Sequence, residues 1–321
     1  MHLRCQRSPL LWISLHFFVL LACSAPDASV RDSAVLLGSS RGPDAGTNNA
    51  GTGDQTDTPA PESQAVRLRF VARVGDEPFA CGATYRSSLG SDYTPADLRL
   101  FVQDVALIDS TGSERPVRLD VRAPWQIDGV ALIDFEDASA GCLAGTRERN
   151  LELTGHVPPG EYRGIAFSNG VPEALNHTDP SRLPAPLQAG SMSWGWLQGY
   201  RFLMAEITGR ASSSDTAAPA SALLHLGSTA CSGNPSAGGI SCAKPNRNRV
   251  RLPEFDPAAD AIVVDLAELF ADMDLATVTT CHSSGDDCAP LFDHLGIDLT
   301  SGLANDHQRV YRIEPARASE P

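Results

Sequence analysis

No hydrophobic run in this 321-residue chain is long enough to read as a membrane-spanning helix. The most apolar stretch, Leu10 to Leu21, falls short of the roughly 20 residues that a bilayer requires. Basic charge is also scarce. With 25 Lys and Arg against 39 Asp and Glu, the formal charge is -14, a poor match for nucleic acid that suits solubility or the attraction of cations and basic partners. From residue 65 onward the chain has no Gly-x-Ser-x-Gly elbow, no His-Glu-x-x-His, no phosphate-binding loop and no Cys-x-x-Cys-His haem attachment. Asp134-Phe-Glu136-Asp137 gathers carboxylates, but such a cluster reads as a solvated turn or a cap. No catalytic residue is assigned, and the chain is expected not to be an enzyme. A repeat at fixed period is missing too, which excludes a solenoid or propeller.

What is present begins at the N-terminus. Arg4 and Arg7 form a short basic region, the apolar core follows, and Leu20-Leu-Ala-Cys23 closes it. Residues 1–22 are therefore expected to be a lipoprotein signal peptide. The tetrapeptide resembles a bacterial lipobox, which makes Cys23 the lipid anchor. Ser24 fits sorting to the outer membrane, with the protein facing the periplasm or the cell surface. From residue 23 to 64 the chain is Ala, Ser, Asp, Gly, Thr and Pro with almost no large apolar residue, the composition of a disordered tether. The body, 65–321, shows no internal composition break and reads as one domain. Loss of Arg4 and Arg7 with the signal moves the formal charge from -14 to -16.

Six cysteines lie in the body: Cys81, Cys142, Cys231, Cys242, Cys281 and Cys288. An even number in an exported chain favours disulfides. Close spacing suggests Cys231 with Cys242 and Cys281 with Cys288, leaving Cys81 with Cys142, while other pairings remain open. A competing reading takes Cys281-His282 with Cys288 as a zinc or copper site, although the spacing fits no finger or ribbon signature.

Alternation marks strands. Val66, Leu68, Phe70, Ala72 and Val74 alternate with Arg67, Arg69 and Arg73. Similar runs span 98–108, 151–157, 162–167, 199–207, 222–226, 248–252 and 261–266, separated by punctuators such as Pro158-Pro-Gly160 and Asn169-Gly170. The expected fold is an all-β, antiparallel sandwich of Ig-like or Greek-key type, stapled by disulfides. Helix is confined to short segments at 266–271 and 289–295.

The densest chemistry lies in Ser191-Met-Ser-Trp-Gly-Trp-Leu-Gln-Gly-Tyr-Arg-Phe202, flanked by Asn176-His177 and His225-Leu-Gly-Ser-Thr229. On a strand, Trp194 and Trp196 would share a face. Imidazole suits copper, zinc and iron, and with its cysteines paired such a body must build its sites from His, Met, Trp-derived or oxygen ligands. Read singly, His225 among leucines is a satisfied core residue, and Met192 and Met204 are packing. Asn176 and Asp179 could help to hold a structural calcium ion.

Taken in order, Phe79-Ala-Cys-Gly82, Asp97-Leu-Arg-Leu-Phe101, Leu132-Ile-Asp-Phe-Glu136 with Cys142, Leu175-Asn-His177, Trp194-Gly-Trp196, His225-Leu-Gly-Ser-Thr229 with Cys231, and Cys281 with Cys288 resemble the four-cysteine metallo-mystery pair family, the MbnP-like periplasmic copper binders. The resemblance spans about residues 66 to 300. It implies a copper-binding protein whose partner is a dihaem protein of the cytochrome c peroxidase class, which converts a tryptophan to kynurenine. Copper ligands would then be drawn from His177, His225 and one of Trp194 and Trp196, with His294 in reserve. A tryptophan oxidised by an external haem should lie at or near the surface. The alternative from another class is a metal-free surface lipoprotein serving adhesion or assembly.

Overall fold

The computed structural model describes residues 62–188, 190–210, 220–234 and 239–316. The signal peptide, Cys23 and nearly all of the 23–64 tether lie outside the described residues. The first strand, Gln64–Val74, follows the alternation in its sequence: Leu68 and Phe70 are buried while Arg67 and Arg69 face out.

Two mixed sheets and a separate ribbon make up the fold. One sheet runs Tyr311–Pro315, Asp260–Asp265, Gln64–Val74, Glu152–Val157, Arg118–Leu119. The other runs Arg249–Leu252, Tyr162–Asn169, Asp92–Asp109, Leu203–Arg210, Ala220–Leu226, Thr279–Cys281, and Val130–Asp134 also pairs with the long Asp92–Asp109 strand. They face each other as a β-sandwich. Phe167 of the second sheet meets Phe70 and Tyr311 of the first edge to face, with ring centroids 5.7 and 5.4 Å apart. Thr229–Asn234 and Gly239–Lys244 form the ribbon.

Two pairings are parallel, against the antiparallel expectation: Gln64–Val74 with Asp260–Asp265, and Ala220–Leu226 with Thr279–Cys281. Both join segments far apart in sequence, where the long connection that a parallel pair requires is available. The strand expected from residue 199 starts instead at Leu203, because Gly199 has φ +82° and ends a turn. Helices Leu266–Leu269 and Ala289–Leu295 stand where expected. Asp265 caps the first through Ala267 N, and Gly296 at φ +72° closes the second. All three disulfides suggested by spacing form: Cys81–Cys142, Cys231–Cys242 and Cys281–Cys288.

Among the described residues, no helix is long and apolar enough to cross a membrane.

Candidate metal centre

Sheet register assembles a polar row on the face of the second sheet turned away from the sandwich core. Asp134 pairs with Arg99, Arg99 with Met204, and Met204 with His225. Along the next row, Asp97 pairs with Glu206. Because strand side chains alternate in direction, residues two apart share this face. The row ends where Thr279–Cys281 pairs with Ala220–Leu226, Cys281 opposite Leu224, so that His282 arrives beside His225. Their ring centroids are 4.9 Å apart.

His225 is buried, and its Nε2 lies 2.6 Å from Glu206 Oε1. The hydrogen bond to His225 holds the Glu206 carboxyl below its ordinary pKa, against the opposing effect of burial. Glu206 is therefore an acceptor, and Nε2 carries the donated proton. In the neutral ring this leaves a lone pair on Nδ1, and that atom is buried with no hydrogen-bond partner. An orphaned imidazole nitrogen of this kind normally costs about 1–3 kcal/mol, and an imidazole whose other nitrogen is fixed by a carboxylate is the usual form of a metal ligand. Desolvation, helped by the neighbouring His225 and Arg201, lowers the pKa of His282, so its neutral, ligating form extends to lower pH.

Trp194 completes the group, its ring centroid 6.4 Å from both His225 and His282. Gly227 makes this approach possible. A Cβ there would stand 2.4 Å from Cζ3 of Trp194 and 2.6 Å from the Tyr200 carbonyl oxygen, a collision that no larger residue escapes. Ser283 fastens the two histidine segments: its hydroxyl donates to the His225 carbonyl at 2.8 Å and accepts from Gly227 N at 2.6 Å. Above Trp194 lies the Arg201 guanidinium, 5.3 Å from the ring centroid.

The two tryptophans do not share a strand face. Ser193 pairs with Tyr200 and the chain turns between them, with Gly195 at φ +100° and Gly199 at φ +82°. Trp194 is half-buried against the histidines, whereas Trp196 at the turn is 50% exposed. His177 stands apart from the Trp194 group. Its contacts are the Trp196 carbonyl, the Asn176 amide and Cys242 Sγ.

Both ring nitrogens of His294 have partners within the protein. It is a core histidine whose Nδ1 bonds the Leu269 carbonyl at 2.9 Å and whose Nε2 receives Arg309 at 2.6 Å. The oxygens considered for calcium are used internally: Asn176 Oδ1 accepts from Tyr200 N, and Asp179 Oδ1 caps Ser181. With Cys281 and Cys288 joined, the thiolate reading around His282 lapses. His282 nevertheless belongs to the centre. The signal for it was its position directly after a cysteine that the sheet register sets opposite the His225 strand. Met192 and Met204 are buried, as packing would have them.

The acidic cluster at Asp134 and Glu136 is not a solvated turn. Both residues are buried beside Arg99, which also pairs with buried Asp97 at 2.9 Å. Desolvation pushes Asp134 and Glu136 up to about 7, despite the lowering effect of Arg99.

Among curated proteins no sequence matches the chain. A solved structure, MbnP from Methylosinus trichosporium, is similar to it at 28% identity and a TM-score of 0.70, covering 80% of this chain and 100% of that one. The MbnP family model matches residues 63–283, a span that runs from the first strand to the serine fastening His282 against His225, and so the chain belongs to the MbnP family.

Proposed function

We propose that the chain is an exported, lipid-anchored copper-binding protein of the cell envelope, a metal carrier and not a catalyst. His225 and His282 would hold the copper, joined by Trp194 once a dihaem, cytochrome c peroxidase-like partner has converted it to kynurenine. The observation that carries this reading is the buried, unpartnered Nδ1 of His225 beside His282 and within one ring of Trp194. The donor set suits copper, which accepts imidazole readily. Indole offers a metal almost no usable lone pair, whereas its ring-opened product exposes an aniline nitrogen and a ketone. Trp194 is the residue converted in this reading, because its ring adjoins both histidines, while Trp196 makes no ring contact with either. Glu206 orients His225, Ser283 and Gly227 set the spacing, and Trp194 lies shallow enough for an electron to leave through the surface.

Peptide mass spectrometry and metal analysis of the protein from its native envelope test the proposal. The expected result is copper together with the mass shift of ring opening, one oxygen gained and one carbon lost, placed on Trp194 by fragmentation. Unmodified tryptophans and no copper, in cells where the haem partner is demonstrably present, would favour the metal-free lipoprotein.

A further inference from the structure

His177 follows the short helix Glu173–Asn176 and meets the ribbon of Thr229–Asn234 and Gly239–Lys244. Its Nδ1 lies 3.1 Å from the Trp196 carbonyl oxygen, which can only accept, so Nδ1 carries the proton of the neutral ring. Nε2 thus presents a lone pair. It receives the Asn176 amide at 3.0 Å and stands 3.1 Å from Cys242 Sγ. The Asn176 amide is oriented independently, since its oxygen accepts from Tyr200 N at 3.1 Å. Cys242 sits directly across the ribbon from Cys231 and is bonded to it. The ligand atoms of His177, Cys231 and Cys242 all lie within 4.8 Å of one another, the only such group of three among the described residues, and each residue is partly accessible. The Cys281–Cys288 disulfide has no exposed surface, and Cys81–Cys142 is accessible only through Cys81, whereas both cysteines of the ribbon bridge are partly accessible.

We propose that Cys231–Cys242 is a redox-gated metal site, which on reduction becomes a two-thiolate, one-imidazole site for a soft cation, Cu(I) foremost. In the disulfide the sulfurs are neutral and bonded to each other, and they are poor ligands. A dithiol reductant opens the bond by attack on one sulfur; its second thiol resolves the mixed disulfide. Two electrons and two protons pass to Cys231 and Cys242, and the reductant leaves as a disulfide. Metal binding then expels the two thiol protons as the thiolates coordinate. His177 keeps its tautomer, because its Nδ1 proton is already held by a backbone carbonyl, the arrangement typical of ligating histidine, and only the Asn176 amide must give up its hydrogen bond to Nε2. Two thiolates and an imidazole favour a soft ion that accepts three-coordination. The site uses none of the Trp194 group and does not rest on the copper reading there.

The test uses a chain carrying His225→Ala and His282→Ala, titrated anaerobically with Cu(I) against bicinchoninate. Titrations are run before and after limited dithiothreitol treatment and removal of the reductant, with alkylation and peptide mapping to show which disulfide opened. Cys231 and Cys242 should be alkylated first, and the reduced chain should bind one more Cu(I) than the oxidised chain. The gain should vanish in the Cys231→Ser, Cys242→Ser variant with its circular dichroism spectrum unchanged. His177→Ala should weaken the site by more than the roughly 10- to 100-fold lost with a merely supporting partner. Prior opening of another disulfide would overturn the proposal, as would a reduced Cys231 and Cys242 that bind no additional Cu(I) or a gain that survives the double serine variant.

Discussion

His225 and His177 are built by the same device and put to different use. In each, one ring nitrogen is fixed by an acceptor, the Glu206 carboxylate for His225 and the Trp196 carbonyl for His177, which leaves the other as a lone-pair donor. His225 sits on the strand next to the sheet edge, buried, and its partners arrive through strand pairing. His177 sits at the end of a four-residue helix against a ribbon, and its neighbours are two sulfurs already bonded to each other. The comparison teaches that a fixed tautomer alone does not make a metal site. The second donor must also be available: in the proposed copper centre it is the imidazole of His282, whereas beside His177 the sulfurs are locked in a disulfide.

The largest expected effect separates the two histidines. With the disulfides intact, His225→Ala should abolish stoichiometric copper, while His177→Ala should leave it in place. Equilibrium dialysis followed by metal analysis distinguishes the outcomes, and copper retained by His225→Ala would remove that residue from the centre. A smaller effect is expected from Glu206→Gln. The amide can still meet Nε2 but cannot supply the carboxylate charge, so copper affinity at the Trp194 centre should fall by about 10- to 100-fold. Competition against a chromophoric chelator measures this, and unchanged affinity would make the Glu206 contact purely structural.

A further prediction concerns stability instead of binding, at the buried end of the same polar row. Burial raises the Glu136 carboxyl from 4.5 to about 7 in the folded chain. A raised carboxyl contributes stability that is complete below its unfolded pKa and is lost as pH rises through its folded value. The Tm of the parent chain should therefore fall relative to Glu136→Gln between pH 4.5 and about 7, and calorimetry across that window should show the variant's curve to be flatter. Parallel curves would mean that Glu136 is ionised throughout.

Much of the sandwich was legible in the chain. The alternation of Leu68 and Phe70 with Arg67 and Arg69 marked a half-buried strand, and the helix Ala289–Leu295 falls on the segment expected to be helical. The short strands were harder to see. Val130–Asp134 is buried at every position, so no alternation betrays it, and the ribbon is polar along most of its length. On a strand, Trp194 and Trp196 would have shared a face, but the segment between Ser193 and Tyr200 turns at Gly195 and Gly199. Only their positive φ values separate Trp194 from Trp196.

By itself the sequence determined the residue types at the centre and the alternating strands, because these depend on composition and on spacing over a few residues, and it suggested the disulfide pairs without fixing them. It also located His225, Trp194 and Gly227 in one region of the chain. That His282 and not His177 joins His225 was decided only by the tertiary structure. A parallel pairing between segments more than fifty positions apart sets Cys281 opposite Leu224, and a cross-strand register of that kind leaves no periodic mark in either segment.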